Sequence, residues 1–300
     1  MTEFPVCVRC MTYNQSSFIV DTLNGFVSQR TDFPFVCVIM DDASTDGEDE
    51  VILQYLTDRF VTESTSETDD YRSYFAQCRE NGNCYFAVFL LKYNHRSIRK
   101  SKDAYHPFNR QAKYIAYCEG DDWWISPHKL QKQYDYLEAH PKCGMVHTKV
   151  KTYDQATGRF GRDRGFKAYC KLRLLVTNPV VTLSVMIRSE LFNAFWTELR
   201  ADAVGWYMGD YPLWLYVHEH HTSHLLEEVM GCYRILPESA SHTGKADKIA
   251  AMNETGREVR KYFAKRYGYD CFVVMRMIDR VIDKKTAKEL KACQQSKPSK

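Results

Sequence analysis

Tyr114-Ile115-Ala116-Tyr117-Cys118-Glu119-Gly120-Asp121-Asp122-Trp123-Trp124 is the stretch whose reading decides the fold. Its first five residues form a short apolar run, the pattern of a buried strand. Three carboxylates then follow within four positions. Like charges packed so closely resist burial unless a cation or a set of donors compensates them. Carboxylate oxygens are hard ligands that suit Mg2+ or Mn2+, ions that usually keep open positions for phosphate oxygens. The stretch therefore reads as a strand ending at a site for a divalent metal and a diphosphate. An acidic turn capping the helix after Pro127 is the plainer alternative.

Working outward, two more apolar runs end in polar clusters. Pro5-Val6-Cys7-Val8-Arg9-Cys10-Met11 leads into Thr12-Tyr13-Asn14-Gln15, and Phe35-Val36-Cys37-Val38-Ile39-Met40 leads into Asp41-Asp42-Ala43-Ser44-Thr45-Asp46-Gly47. Each is followed by apolar residues at helical spacing, Ile19, Leu23, Phe26 and Val27 after the first, Val51, Ile52, Tyr55 and Leu56 after the second. Alternating strands and helices predict an α/β fold with a mostly parallel sheet covered on both faces. Such sheets bind ligands beyond the carboxyl ends of their strands, so the three clusters should converge on one cleft.

Thr12-Tyr13-Asn14, Asp41 to Asp46 and Glu119-Gly120-Asp121-Asp122, in this order, resemble the family 2 glycosyltransferases. The likeness runs on through Trp123 to Gln133, through Gly209-Asp210-Tyr211-Pro212-Leu213-Trp214, and to Tyr233-Arg234 with Ser239-Ala240-Ser241-His242. It covers about residues 3–245. The resemblance implies the GT-A fold, a Rossmann-like mostly parallel central sheet flanked by helices. It divides the chain into a nucleotide-sugar-binding half (1–125), an acceptor-binding half (126–244) and a basic helical C-terminal extension (245–300). The implied activity is inverting, metal-dependent transfer of a sugar from a nucleotide-sugar donor, UDP-linked, to a glycan or lipid-linked acceptor. Bacterial polysaccharide biosynthesis is the family's usual setting, with a cytoplasmic location. A catalytically silent nucleotide-sugar-binding subunit is one rival reading. A sugar nucleotidyltransferase is another, although Arg9 to Ser17 lacks the glycine-rich phosphate loop it would want.

The resemblance also distributes roles. Thr12, Tyr13, Asn14, Asp41, Asp42, Ser44 and Asp121 fall to the nucleotide, with the Tyr13 ring stacking on the base. Neighbouring strand residues face opposite sides, so only one of Asp41 and Asp42 can point into the cleft. Asp122 is the expected direct ligand of Mn2+ or Mg2+, with Glu119 beside it; many relatives carry Asp where this chain has Glu119. Asp210 is the expected general base, though Gly209-Asp210-Tyr211-Pro212 also reads as a helix start. Arg234 and His242 are placed at the diphosphate or its closing loop. Trp123, Trp124 and Trp206 are placed at the acceptor or sugar, where aromatic faces commonly pack.

Composition limits the remaining possibilities. With 41 basic and 38 acidic residues, the overall balance does not suggest a nucleic acid or other polyanion as partner. No signal-like segment is expected at the amino terminus, and no apolar run approaches a membrane span. Eleven cysteines, including Cys7, Cys37, Cys118 and Cys271 in apolar runs, read as buried free thiols. Cys7 and Cys10 form a C-x-x-C pair whose members should face opposite sides of a strand. The segment 245–300 holds 15 Lys and Arg against 7 Asp and Glu. In it, Phe272, Val273, Val274, Met277, Ile278, Val281 and Ile282 recur at helical spacing. Two readings stay open: a helix packed on the body with a solvated basic face, or one making peripheral contact with the inner face of a membrane. Thr62 to Asn83 reads as a polar surface connection with a short helix around Tyr71 to Arg79, and Tyr153 to Lys167 as a flexible loop. His218, His220, His221 and His224 read as surface or helix-end residues.

Overall fold

The computed structural model describes residues 3–94, 106–167, 170–203, 205–206, 208–236 and 246–295. The chain order is β1 (Val6–Thr12), α1 (Ile19–Val27), β2 (Phe35–Asp41), α2 (Glu48–Arg59), β3 (Phe60–Glu67), β4 (Tyr71–Cys78), β5 (Cys84–Leu91), α3 (His106–Gln111), β6 (Tyr114–Tyr117) and β7 (Trp123–Trp124). It continues through α4 (Lys129–Ala139), β8 (Cys143–Asp154), β9 (Arg159–Arg164), α5 (Lys171–Val176), β10 (Met186–Arg188), α6 (Ser189–Ala203), α7 (Asp210–His220), β11 (Thr222–Ile235), α8 (Ala246–Arg266) and α9 (Phe272–Gln295).

All eleven strands join one sheet, in the order β3-β4-β5-β2-β1-β6-β10-β8-β11-β7, with β9 paired to β8. Its centre, β5-β2-β1-β6, is parallel. These strands are covered on both faces, which is why they read as unbroken apolar runs: all seven residues of β2 are buried. One face packs under α1, α2 and α4 through Ile19, Leu23, Phe26, Ile52, Leu130 and Leu137. The other packs under α5 to α9 through Leu174, Phe195, Trp214, Phe263 and Ile278. Each such side chain contributes roughly 2 kcal/mol by leaving water. Cys10 belongs to the first face, whereas Cys7 packs in a separate small cluster with Val36, Val38 and Phe89 under Phe108 of α3, so the C-x-x-C pair straddles the strand as expected.

The chain leaves β1 toward β2 on one side, while β6 pairs with β1 on the other. The strand order thus reverses at β1, and a crevice opens there beyond the carboxyl ends.

Three expectations need correction. Thr62 to Asn83 is no loose connection: β3 and β4 form an antiparallel ribbon on the sheet edge, and Tyr71–Cys78 is strand, not helix. The ribbon is held by Ala76 and Cys78, while β3 beyond Phe60 is exposed, so its polar composition reflects an edge. Tyr153 to Lys167 is likewise a hairpin, β8 turning at Gly158 (φ 67°) into β9. Cys271 is exposed, as is Cys170; the other nine cysteines are buried and free. His218 lies in the last turn of α7, a helix-end residue as expected, and is buried, with Nε2 2.8 Å from Ser223 Oγ. It lies near fully buried His147, and burial pushes both imidazoles down to about 4.

At the carboxyl end of the chain, α9 packs on α8 and the body through Val274, Ile278 and Ile282. Among the described residues no helix is long and apolar enough to cross a membrane.

Candidate active site

The loops after β1 and β2 are stitched into one rim. Asn14 N–H donates to Ser44 Oγ at 2.8 Å, and Thr45 N–H donates to Asn14 Oδ1 at 2.8 Å. Ser16 N–H donates to Asp46 at 2.9 Å. Asn14 (φ 55°) and Ala43 (φ 59°) are the non-glycine residues with left-handed backbone among those described. Such backbone costs about 1 kcal/mol or more at each, and clusters at sites where surrounding contacts hold it.

Glu48, fully buried at the start of α2, is the keystone of this rim and was missed by the sequence reading. Its carboxylate accepts from the Thr12 hydroxyl and from Gln15 N–H at 2.8 Å, and it lies 2.9 Å from Ser44 Oγ. Burial raises its pKa above the ordinary value. As the first acid of a helix it gave no sequence signal beyond favourable placement in the helix dipole.

Asp41 is buried at the end of β2, and its Oδ1 accepts from Ser44 N–H at 3.2 Å and from the Ser44 hydroxyl. Burial pushes its pKa up to about 6 despite those bonds. Asp42 is buried too; its N–H donates to Thr12 O at 3.0 Å. Tyr13, by contrast, is 46% exposed, which leaves a ring face at the mouth of the crevice.

The acidic turn after β6 sits against this rim. Gly120 N–H donates to Met11 O at 3.1 Å, and a Cβ on Gly120 would lie 2.6 Å from Thr12 Cβ. Only glycine allows the two loops to approach so closely. Thr22 Oγ1 from α1 lies 2.9 Å from Gly120 O, fixing the turn from behind. Glu119 is pushed up to about 8, first by burial and then by the charges of Asp121 and Asp210. Asp122 is raised well above the usual range by burial, then by Asp121 and Glu119. Asp121 is raised by burial, with the Arg234 charge opposing.

Asp210, at the first position of α7, comes from the other half of the sequence. Its Oδ2 accepts from Thr182 Oγ1 at 2.9 Å and its Oδ1 from Tyr211 N–H at 2.7 Å. Thr182 lies in a single 3-10 turn (Thr182–Ser184) that the sequence did not reveal. The Tyr117 hydroxyl is buried with no hydrogen-bond partner among the described residues, within electrostatic range of Asp210, Glu119 and Arg9.

Other expected site residues are placed differently. The Arg234 guanidinium is buried and engaged with Asp121 O (2.7 Å), Gln155 Oε1 (2.6 Å) and Asp21 Oδ2 (2.7 Å). The backbone N–H of Arg234 donates to Asp122 Oδ1 at 2.7 Å, so Arg234 buttresses the acidic turn. Trp123, on the short edge strand β7, is half-buried and packs against this guanidinium, 4.4 Å from ring centre to Cζ. Trp124 is 3% exposed, donates Nε1–H to Leu183 O at 2.9 Å, and packs on Phe26. It is a core residue, with no face left for a sugar. Lys129 Nζ lies 4.2 Å over its ring, and burial lowers that amine to about 7. Trp206 packs on Tyr262 of α8. His242 lies outside the described residues.

The donor set is consistent with one hard cation. Among the described residues no three acidic, histidine or cysteine side chains form a ready ligand cage. Mg2+ and Mn2+ sites of the phosphate-binding kind rarely need one: one or two carboxylates suffice when diphosphate oxygens and water complete the shell. The raised pKa values of Glu119 and Asp122 come first from burial and then from neighbouring acids, and a divalent cation would offset both.

Comparison with known proteins matches this geometry at the level of fold. The chain overlays on a mannosyltransferase, PcManGT from Pyrobaculum calidifontis in complex with GDP-Man and Mn2+, with a TM-score of 0.56 and 14% identity over 98% of this chain and 76% of that one. It overlays on TarS from S. aureus in complex with UDP-GlcNAc with a TM-score of 0.51 and 14% identity, over 88% of this chain and 72% of that one. The fold is that of GT-A-like glycosyltransferases. By sequence the chain is 27% identical over 249 residues to uncharacterized proteins of Mycobacterium tuberculosis and Mycobacterium bovis. The match takes in 79% of this chain but 61% of theirs, so the chain spans about three fifths of those relatives. No family model matches.

Proposed function

We propose that the protein is an inverting, metal-dependent glycosyltransferase of the family 2 type. It uses a nucleoside-diphosphate sugar, UDP-linked in this reading, and transfers the sugar to a glycan or lipid-linked acceptor of a bacterial surface polysaccharide. The observation that carries the proposal is the convergence of Asp210 with Glu119, 91 positions earlier, so that each carboxylate's charge acts on one crevice. Glycosyltransferases of the same fold that hold UDP-GlcNAc or GDP-Man support the donor class, and the Mn2+ of one supports the cation.

In this reading residues 1–125 serve the donor, 126–244 the acceptor, and 245–300 form an extension; the two halves share one sheet. Tyr13 stacks on the base at the rim, held in place by Asn14, Ser44 and Glu48. One of Asp41 and Asp42 meets the base; Asp41 also accepts from Ser44 N–H. Asp122, anchored at one oxygen by the Arg234 backbone N–H, would hold the cation with Asp121 and Glu119 beside it. A bound cation would neutralise charge on the departing diphosphate. Arg234 acts as a positioning residue for that turn. Asp210 takes the proton from the acceptor hydroxyl as its oxygen attacks the anomeric carbon; the bond to the diphosphate breaks on the opposite face and configuration inverts. Thr182 Oγ1 and Tyr211 N–H hold the carboxylate in place for this step.

The test is product stereochemistry and turnover with a panel of nucleotide sugars, wild type against Asp210→Asn. Inverted product, lost in the variant while donor binding persists, supports the reading. A retained anomeric configuration overturns it.

A further inference from the structure

The charges of α9 are sorted by side. Its three acids face α8: Asp279 pairs with Arg257 (2.8 Å) and Lys261 (2.6 Å), Asp283 with Arg257 (2.7 Å), and Glu289 accepts from Asn253 (2.8 Å). The apolar residues Val274, Ile278 and Ile282 are buried on that same inner side. Arg276, Arg280, Lys284 and Lys291 are all exposed. At 100° per residue they fall with Val273 on one outer stripe, opposite Ile278 and Ile282. Val273 opens this stripe and Phe272 flanks it; at 72% and 75% exposure they are the two most exposed large apolar residues of those described. The Arg276 guanidinium lies 5.4 Å from the Phe272 ring centre. Asp270, just before the helix, is the nearest acid in sequence on the exposed side.

We propose that this outer face of α9 docks on an anionic lipid surface, with Phe272 and Val273 entering the headgroup boundary and the basic stripe lying along the phosphates. A solvated basic face alone needs no exposed Phe-Val pair. A protein groove would favour a longer apolar stripe, whereas here two apolar residues lead into a row of unopposed bases. Amphipathic helices at bilayer surfaces combine these two features, apolar area for depth and bases for the anionic headgroups. Long basic side chains also snorkel, so Arg276 can remain at headgroup level beside a buried Phe272 ring. The inference does not depend on the transfer reaction proposed above.

The test is co-sedimentation of the full chain with vesicles of phosphatidylcholine alone or with phosphatidylglycerol. Wild type should pellet with the anionic vesicles only and be released by high salt. Phe272→Ser with Val273→Ser should weaken partitioning at least ~10-fold. Arg280→Gln, Lys284→Gln and Lys291→Gln together should weaken it roughly 100-fold. Unchanged melting temperatures would confirm that these exposed substitutions leave the fold intact. No pelleting of wild type with anionic vesicles overturns the proposal. Equal pelleting of the Phe272→Ser, Val273→Ser variant overturns it too, since the face would then be a general polyanion surface.

Discussion

The crevice and the C-terminal helical layer treat carboxylates in opposite ways. Around the crevice, Asp41, Glu48, Glu119, Asp121 and Asp122 all have raised pKa values, with burial the first cause in every case. In the helical layer, Asp279 is lowered by hydrogen bonds from Lys261 and Arg257, and Glu198 by one from Arg266. In the second region these acids are paired with bases of the chain; the first carries negative charge that the chain does not neutralise. Perturbed acids of the first kind mark places where a cation or a proton has work to perform. Sites of this kind trade stability for function.

The comparison can be broken most sharply at Asp210. Asp210→Asn should lower kcat at least ~10²-fold, measured by nucleoside diphosphate release, with donor affinity kept. Near-normal turnover would remove Asp210 from the chemistry. Next is the packing that holds the acids in place. Gly120→Ala forces a Cβ against Thr12, and should cost about 1–3 kcal/mol in denaturant unfolding while weakening nucleotide binding. An unperturbed variant would mean that the two loops are free to part.

A third prediction separates the regions by sign. Glu119 is raised from 4.5 to about 8 in the folded state, so the folded chain binds more protons than the unfolded one between those values. Its stability contribution is full below the unfolded pKa and is lost as pH rises through the folded one. In EDTA, the melting temperature should fall between about pH 5 and about pH 8, and Glu119→Gln should flatten that fall. A profile indifferent to the substitution would contradict the assignment. The smallest effect belongs to the helical layer: Asp279→Asn should destabilise by at most ~1 kcal/mol, because its ion pairs are partly solvated. Removing an acid would thus stabilise one region and weaken the other.

Much of this was legible in the sequence. The strand cores Val6–Met11, Phe35–Met40, Tyr85–Leu91 and Tyr114–Tyr117 are continuous apolar runs because helices cover both their faces. The polar residues that end them, Thr12 to Asn14, Asp41 to Ser44 and Glu119 to Asp122, meet because parallel strands deliver their carboxyl ends to one side. Strands β3 and β9 were hidden because strands so exposed carry no apolar periodicity. Glu48 and Thr182 were hidden for another reason. Their importance lies in what touches them from 36 and 28 positions away, and local pattern carries no trace of that. Trp124 shows the converse: beside the acids in sequence, it points into the core, as alternation along a two-residue strand permits.

The most direct test of the central claim is calorimetric titration of UDP, GDP, dTDP and CDP, with Mn2+ and with EDTA, on wild type and Asp122→Asn. The variant keeps an acceptor for Arg234 N–H while removing the charge. One nucleotide should bind tightly, UDP in this account, with binding lost both in EDTA and in the variant. Binding that ignores the metal and the Asp122 charge would contradict the account, as would no nucleotide binding at all.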